Sequence, residues 1–161
     1  MTKRNKITIG VLSILTAIVT FFIWNNSYAS IEESSAVSSG ITEIVCETLG
    51  ISEEEDIENA HIFIRKSAHF IEFCILGMLY MSICTLITGK SISTLIFFPI
   101  SSVLLTAVID EYIQSFTGRG SQVQDVLLDF CGAIVGIFLI CLINTLKETY
   151  HEKHKLSRDG V

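Results

Sequence analysis

The sequence predicts an all-α integral membrane protein with four transmembrane helices and both termini in the cytoplasm. Three observations predict it. Half of the 161 residues are hydrophobic and the mean hydropathy is +0.56, which is unusual for a soluble domain of this length. One proline and ten glycines leave little material for a loop-rich β architecture. Four apolar runs each approach the ~20 residues that a helix needs to cross ~30 Å of hydrocarbon. None of them alternates as a barrel strand would.

The first run, ITIGVLSILTAIVTFFIW at 7–24, follows Lys3, Arg4 and Lys6. A basic start, an apolar run and Ser27-Tyr28-Ala29 also resemble a signal peptide. The apolar run exceeds the ~7–15 residues of a signal core, and Trp24 suits an interfacial anchor. Residues 1–30 are therefore read as a first transmembrane helix, with a signal peptide as the alternative.

Residues 31–64 are read as an acidic extracytoplasmic segment. From Asn25 to Ile64 the chain carries nine acids and no lysine or arginine. Ile41, Ile44, Val45 and Leu49 make an apolar stripe, so either a short surface-lying helix or a solvated linker fits. Ser52 followed by Glu55 is a capping box, which places a helix start there, running towards the second span.

The second run is AHFIEFCILGMLYMSICTLI at 68–87, the third ISTLIFFPISSVLLTAVI at 92–109 and the fourth VLLDFCGAIVGIFLICLINTL at 126–146. Residues 65–147 thus form a three-helix core, and 148–161 a cytoplasmic tail expected to lose order after Tyr150. Lysine and arginine set the direction. Lys3, Arg4, Lys6, Lys90, Lys147, Lys153, Lys155 and Arg158 fall on one side of a four-span chain. Only Arg65, Lys66 and Arg119 fall on the other.

Composition excludes several classes. The net charge of −6 argues against a nucleic-acid partner, which requires a basic face. The five cysteines form no C-x-x-C pair, and four lie inside apolar runs as small hydrophobes. There is no G-x-S-x-G and no P-loop. No cofactor and no metal centre are expected. Glu72, Asp110, Glu111, Asp125 and Asp129 offer oxygens to a hard cation, but at no diagnostic spacing.

Charges in hydrocarbon are costly and are usually kept for function. Arg65, His69 and Glu72 fall at i, i+4 and i+7, on one helix face, with Lys66 adjoining. Asp110 and Gln114 are i, i+4, with Glu111 beside them, and Asp125 and Asp129 repeat that spacing at the start of the fourth span. Counting ~1.5 Å per residue from the inner ends places all of these in the outer part of the membrane. Arg119, in the intervening turn, joins them. Gly132 and Gly136 continue the Asp125 face, where small residues allow close helix approach.

The blocks R-K-x-x-H-F-x-E-F at 65–73, D-E-x-x-Q at 110–114, G-R at 118–119 and D-V-L-L-x-x-x-G at 125–132 resemble the VanZ-like family. The resemblance runs from Arg65 to about Gly136. It implies a small bacterial membrane protein of the Gram-positive cell envelope, associated with teicoplanin resistance. The family often carries His, Pro and Asn where this chain has Ile113, Thr117 and Asp129.

Three roles remain open for the cluster. Ion pairs of Arg65 with Glu72 or Asp110, and of Arg119 with Asp125, would make it structural. Arg65, Lys66 and Arg119, supported by Glu111, Gln114, Asp125 and Asp129, would grip an anionic lipid or a lipid-linked wall precursor. His69 with Glu72 or Asp110 would supply a base and its orienting carboxylate for chemistry on a lipid-linked phosphate.

Overall fold

The computed structural model describes residues 2–28, 31–88, 96–117 and 122–159. Among these there are five helices and no strand: α1 Lys3–Tyr28, α2 Ile31–Leu49, α3 Glu54–Thr88, α4 Phe97–Phe116 and α5 Val123–Asp159. By length and composition α1, α3 and α5 qualify as membrane spans.

α1 leaves Ile7, Val11, Ile14, Ile18, Phe21 and Phe22 exposed and buries Thr16, Ile23 and Ser27. An apolar surface of this extent on a helix marks contact with lipid or with another protein. Near its C-terminal end the helix turns polar, and Ser27 is completely buried.

α2 is a helix within the acidic segment, for which a helix and a solvated linker both fitted the sequence. It ends at Gly50, whose φ of 70° is the left-handed conformation that a glycine adopts past a helix end at no Cβ cost. The Ile51 amide then donates back to the Cys46 carbonyl at 2.9 Å. The stripe of Ile41, Ile44 and Leu49 faces outwards, while Thr42 and Cys46 are buried. The helix packs against α3.

α3 starts within two residues of the position that Ser52 and Glu55 indicate, with Glu54, Glu55 and Asp56 in its first turn. Acids there oppose the positive end of the helix dipole. The helix is 35 residues long, or about 52 Å at ~1.5 Å per residue. It packs most extensively on α5. A Cβ built at Gly132 would collide with the Phe70 carbonyl, one at Gly136 with the Cys74 carbonyl, and one at Gly77 with the Ala133 carbonyl. Backbone meets backbone along this seam.

α4 corresponds to the third apolar run, shifted towards the C-terminus; residues 92–95 of that run lie outside the described residues. Pro99 falls in its first turn, where no intrahelical N–H is lost. Its pattern is inverted relative to a soluble helix. Pro99, Val103, Thr106, Ala107, Asp110, Glu111 and Gln114 face inwards, while Leu104, Leu105, Val108, Tyr112 and Phe116 are exposed.

α5 runs on as helix to Asp159, so the expected loss of order after Tyr150 is not what the structure shows. The stretch has no proline, and its only glycine is Gly160, so nothing interrupts the helical ladder. The core gathers Ile23 of α1, Phe73, Leu76 and Met81 of α3, Val103 and Ala107 of α4, and Ala133 and Ile137 of α5.

Candidate functional site

Polar side chains from four helices meet at one end of the bundle, and Asp110 is the knot. It is completely buried. The Ser27 hydroxyl donates to its Oδ1 at 2.7 Å, and the Gln114 amide donates to its Oδ2 at 2.8 Å. The i, i+4 spacing of Asp110 and Gln114 makes the second bond. The first reaches across to α1. Thr117 Oγ1 lies 3.4 Å from the Ser27 carbonyl and reinforces that junction.

His69 approaches the same carboxylate from α3. Its Nδ1 lies 3.9 Å from Asp110 Oδ2 and 3.9 Å from Asp129 Oδ1. These separations exceed hydrogen-bonding distance. Three groups on three helices thus converge on a common point. Their ligating atoms all fall within 4.8 Å of one another, in a geometry able to hold a metal ion.

Lys66 donates to Asp125 Oδ1 at 2.6 Å and ties α3 to the first turn of α5. Glu111, only 2% exposed, accepts a bond from the Gln122 amide at 3.1 Å through Oε2. A carboxylate there caps the start of α5 and meets its positive dipole end. The other oxygen, Oε1, is buried without a hydrogen-bond partner. Glu72 lies one turn beyond His69 along α3 and takes the Asn26 side chain; its Oε2 is likewise buried without a partner.

A cavity of about 20 Å³ opens among these groups, lined by Arg65, Lys66, His69, Glu111, Gln114, Asp125, Leu128 and Asp129. It has room for roughly one water-sized body. A larger apolar groove of about 500 Å³, lined by Phe63, Lys66, Ser67, Phe70, Ile71 and Leu128, adjoins it and shares Lys66 and Leu128.

The expected Arg65 pairs are not formed. Among the described residues Arg65 makes no ion pair, because Asp110 is turned towards Ser27 and Gln114, and Glu72 towards Asn26. Lys66 rather than an arginine meets Asp125. Arg119 and its G-R turn lie outside the described residues. All the other site residues expected from the sequence are brought to this end of the bundle. Sequence reasoning missed Asn26 and Ser27. Both stand at the end of the first apolar run, where small polar residues read equally as a cleavage site. Two consecutive polar residues one turn past Ile23 were the available signal.

Fold and site together define a helical membrane protein that keeps a buried polar centre where its helices meet. The chain matches the model of the VanZ/LLP1 family over residues 9–144 and belongs to that family. It is a multi-pass bacterial membrane protein. The match reaches well beyond the motif blocks and takes in α1 and α2, in keeping with the place of Ser27 in the site. No curated protein matches the chain, and no solved structure does.

Proposed function

We propose that the protein binds the anionic head group of a membrane amphiphile, a phospholipid or a lipid-linked wall precursor, at the outer leaflet. The observation that carries this reading is Arg65. It lines the cavity yet spends its guanidinium on no carboxylate among the described residues. An arginine fork matches the oxygens of a phosphate or carboxylate. The cavity admits little more than one oxygen of such a group, so the rest of the head group rests at its mouth. The apolar groove that shares Lys66 and Leu128 with the cavity suits an acyl or prenyl chain.

The reading requires the site to face outwards, with four spans and both termini in the cytoplasm. Basic residues at both chain ends support that orientation. α4 has 20 residues, about 30 Å at ~1.5 Å per residue, and its exposed face is apolar. Retention of α1 is supported by Ser27, whose removal by cleavage would strip Asp110 of a bond. The family's association with teicoplanin resistance fits a protein that occupies or shields a wall-precursor lipid and so lowers glycopeptide susceptibility.

Lipid mass spectrometry on purified protein tests this. Wild type should retain a phosphate-bearing lipid, and Arg65→Ala should lose it. Arg65→Lys keeps the charge but loses the fork, so retention should fall about tenfold, roughly the 1.4 kcal/mol of one lost charge-assisted hydrogen bond. Equal retention by all three folded proteins sinks the head-group reading. A hydrolytic reading also has an observation behind it, since His69 lies between Asp110 and Asp129. It requires altered head groups in expressing cells, lost with His69→Gln.

A further inference from the structure

We propose that His69, Asp110 and Asp129, with Glu111 in the cavity beside His69 and Asp129, form a binding site for one divalent transition-metal cation. The inference goes beyond the head-group reading and stands without it. Three observations carry it.

The first is convergence. One imidazole nitrogen and two carboxylate oxygens from three different helices point to one locus, within 4.8 Å of one another. The 3.9 Å separations from His69 Nδ1 are too long for hydrogen bonds. They approach the span of two ligands held ~2.0–2.2 Å from a common ion at a wide angle. Asp110 is also prepared as a ligand should be. Ser27 and Gln114 hold its two oxygens in orientation, as the hydrogen-bonded partners of metal-ligating carboxylates do.

The second is Glu111. It is 98% buried, since its exposure is 2%; it lines the cavity beside His69 and Asp129, and its Oε1 has no partner. A buried carboxylate oxygen left unsatisfied is costly. A cation, or a water bound to that cation, would satisfy it.

The third is charge. Glu111, Asp125 and Asp129 line the cavity with Arg65 and Lys66, and Asp110 adds its carboxylate within ligand reach of His69 and Asp129, so acids outnumber bases in this group with a neutral imidazole. A divalent cation offsets that excess, and the cavity of about 20 Å³ has room for one ion. One nitrogen and several oxygens, with no thiolate, select manganese or zinc over soft ions.

The test uses the full chain in detergent, stripped with a chelator, with Mn²⁺ alone as probe and electron paramagnetic resonance as readout. Wild type should bind about one equivalent per chain. Asp129→Asn should weaken binding at least about tenfold, as even outer partners of metal ligands are worth 10–100-fold. Glu54→Gln, in the distant first turn of α3, should stay within twofold. Bound Mn²⁺ should show a nitrogen coupling. It should persist when His61, His151 and His154 are all replaced by Gln, and vanish when His69 is replaced too. That coupling decides the matter even if Asp129→Asn fails to fold. No saturable binding, undiminished binding in folded Asp129→Asn, or a coupling that survives His69→Gln overturns the proposal. Arg65→Lys should leave Mn²⁺ binding intact, which separates this site from the head-group reading.

Discussion

Asp110 has no contact with solvent, and each of its oxygens is held by a different side chain. Removing one holder exposes the cost of the other arrangement. Ser27→Ala leaves Oδ1 without its hydroxyl, which should lower stability by about 1–3 kcal/mol, read as an earlier denaturant or thermal midpoint in detergent. A substitution at Ser13, near the middle of α1, should do far less. At this scale the sequence was readable where spacing along one helix makes the contact. Asp110 and Gln114 at i, i+4 do bond. Pairing across helices was not readable, because hydropathy places residues in depth but says nothing of lateral distance. Hence Arg65 was expected to meet Glu72 or Asp110, whereas those acids are engaged by Asn26, Ser27 and Gln114 on other sides. Ser27 itself was legible only as a small polar residue at the end of an apolar run.

Among the elements, α3 and α5 depend on missing side chains. Gly132 and Gly136 sit directly against the carbonyls of Phe70 and Cys74. Replacing either with leucine should cost about 1–3 kcal/mol or more through overpacking, and replacing both should move the two helices apart. Thermal stability in detergent equal to wild type would refute that seam. The same separation would draw His69 away from Asp129, so Mn²⁺ binding should weaken with the fold still present. The glycine face was legible because four-residue spacing of small residues is a local pattern. The length of α5 was not: a polar, charged stretch reads as tail or as solvated helix on composition alone. α4 shows why charge count misleads. Its acids lie on the inward face, and Leu104, Leu105, Val108, Tyr112 and Phe116 lie on the exposed one, so summed hydropathy understates how apolar the exposed face is.

For the whole molecule, the prediction concerns sidedness. Cysteine placed at Glu58 should react with an impermeant maleimide in intact cells, and cysteine at Lys153 should react only after lysis, given a background in which the five native cysteines are replaced by alanine. The opposite pattern would put the polar end in the cytoplasm and remove the outer-leaflet reading with it. The all-helical class was legible from four apolar runs and scarce proline. The meeting of the polar groups at one level was legible from their distance to the span ends. That α1 belongs in the bundle was not, because a basic start and a small-residue end are shared by anchors and by cleaved leaders. Burial of Ile23 and Ser27 against α3 and α4 carries information that no single segment contains.

The inverted α4 has a consequence for biogenesis. On the four-span reading, a segment carrying Asp110, Glu111 and Gln114 partitions poorly from the translocon on its own, since acids within a span are costly to insert. Its natural shelter is supplied by α1 and α3, synthesised earlier, and by α5, synthesised later. Insertion of α4 should therefore be cooperative with its neighbours rather than autonomous. Fused alone to a topology reporter, α4 should integrate in only a minor share of chains. Preceded by α1 to α3 and followed by α5, it should integrate in most, and Ser27→Ala should lower that share.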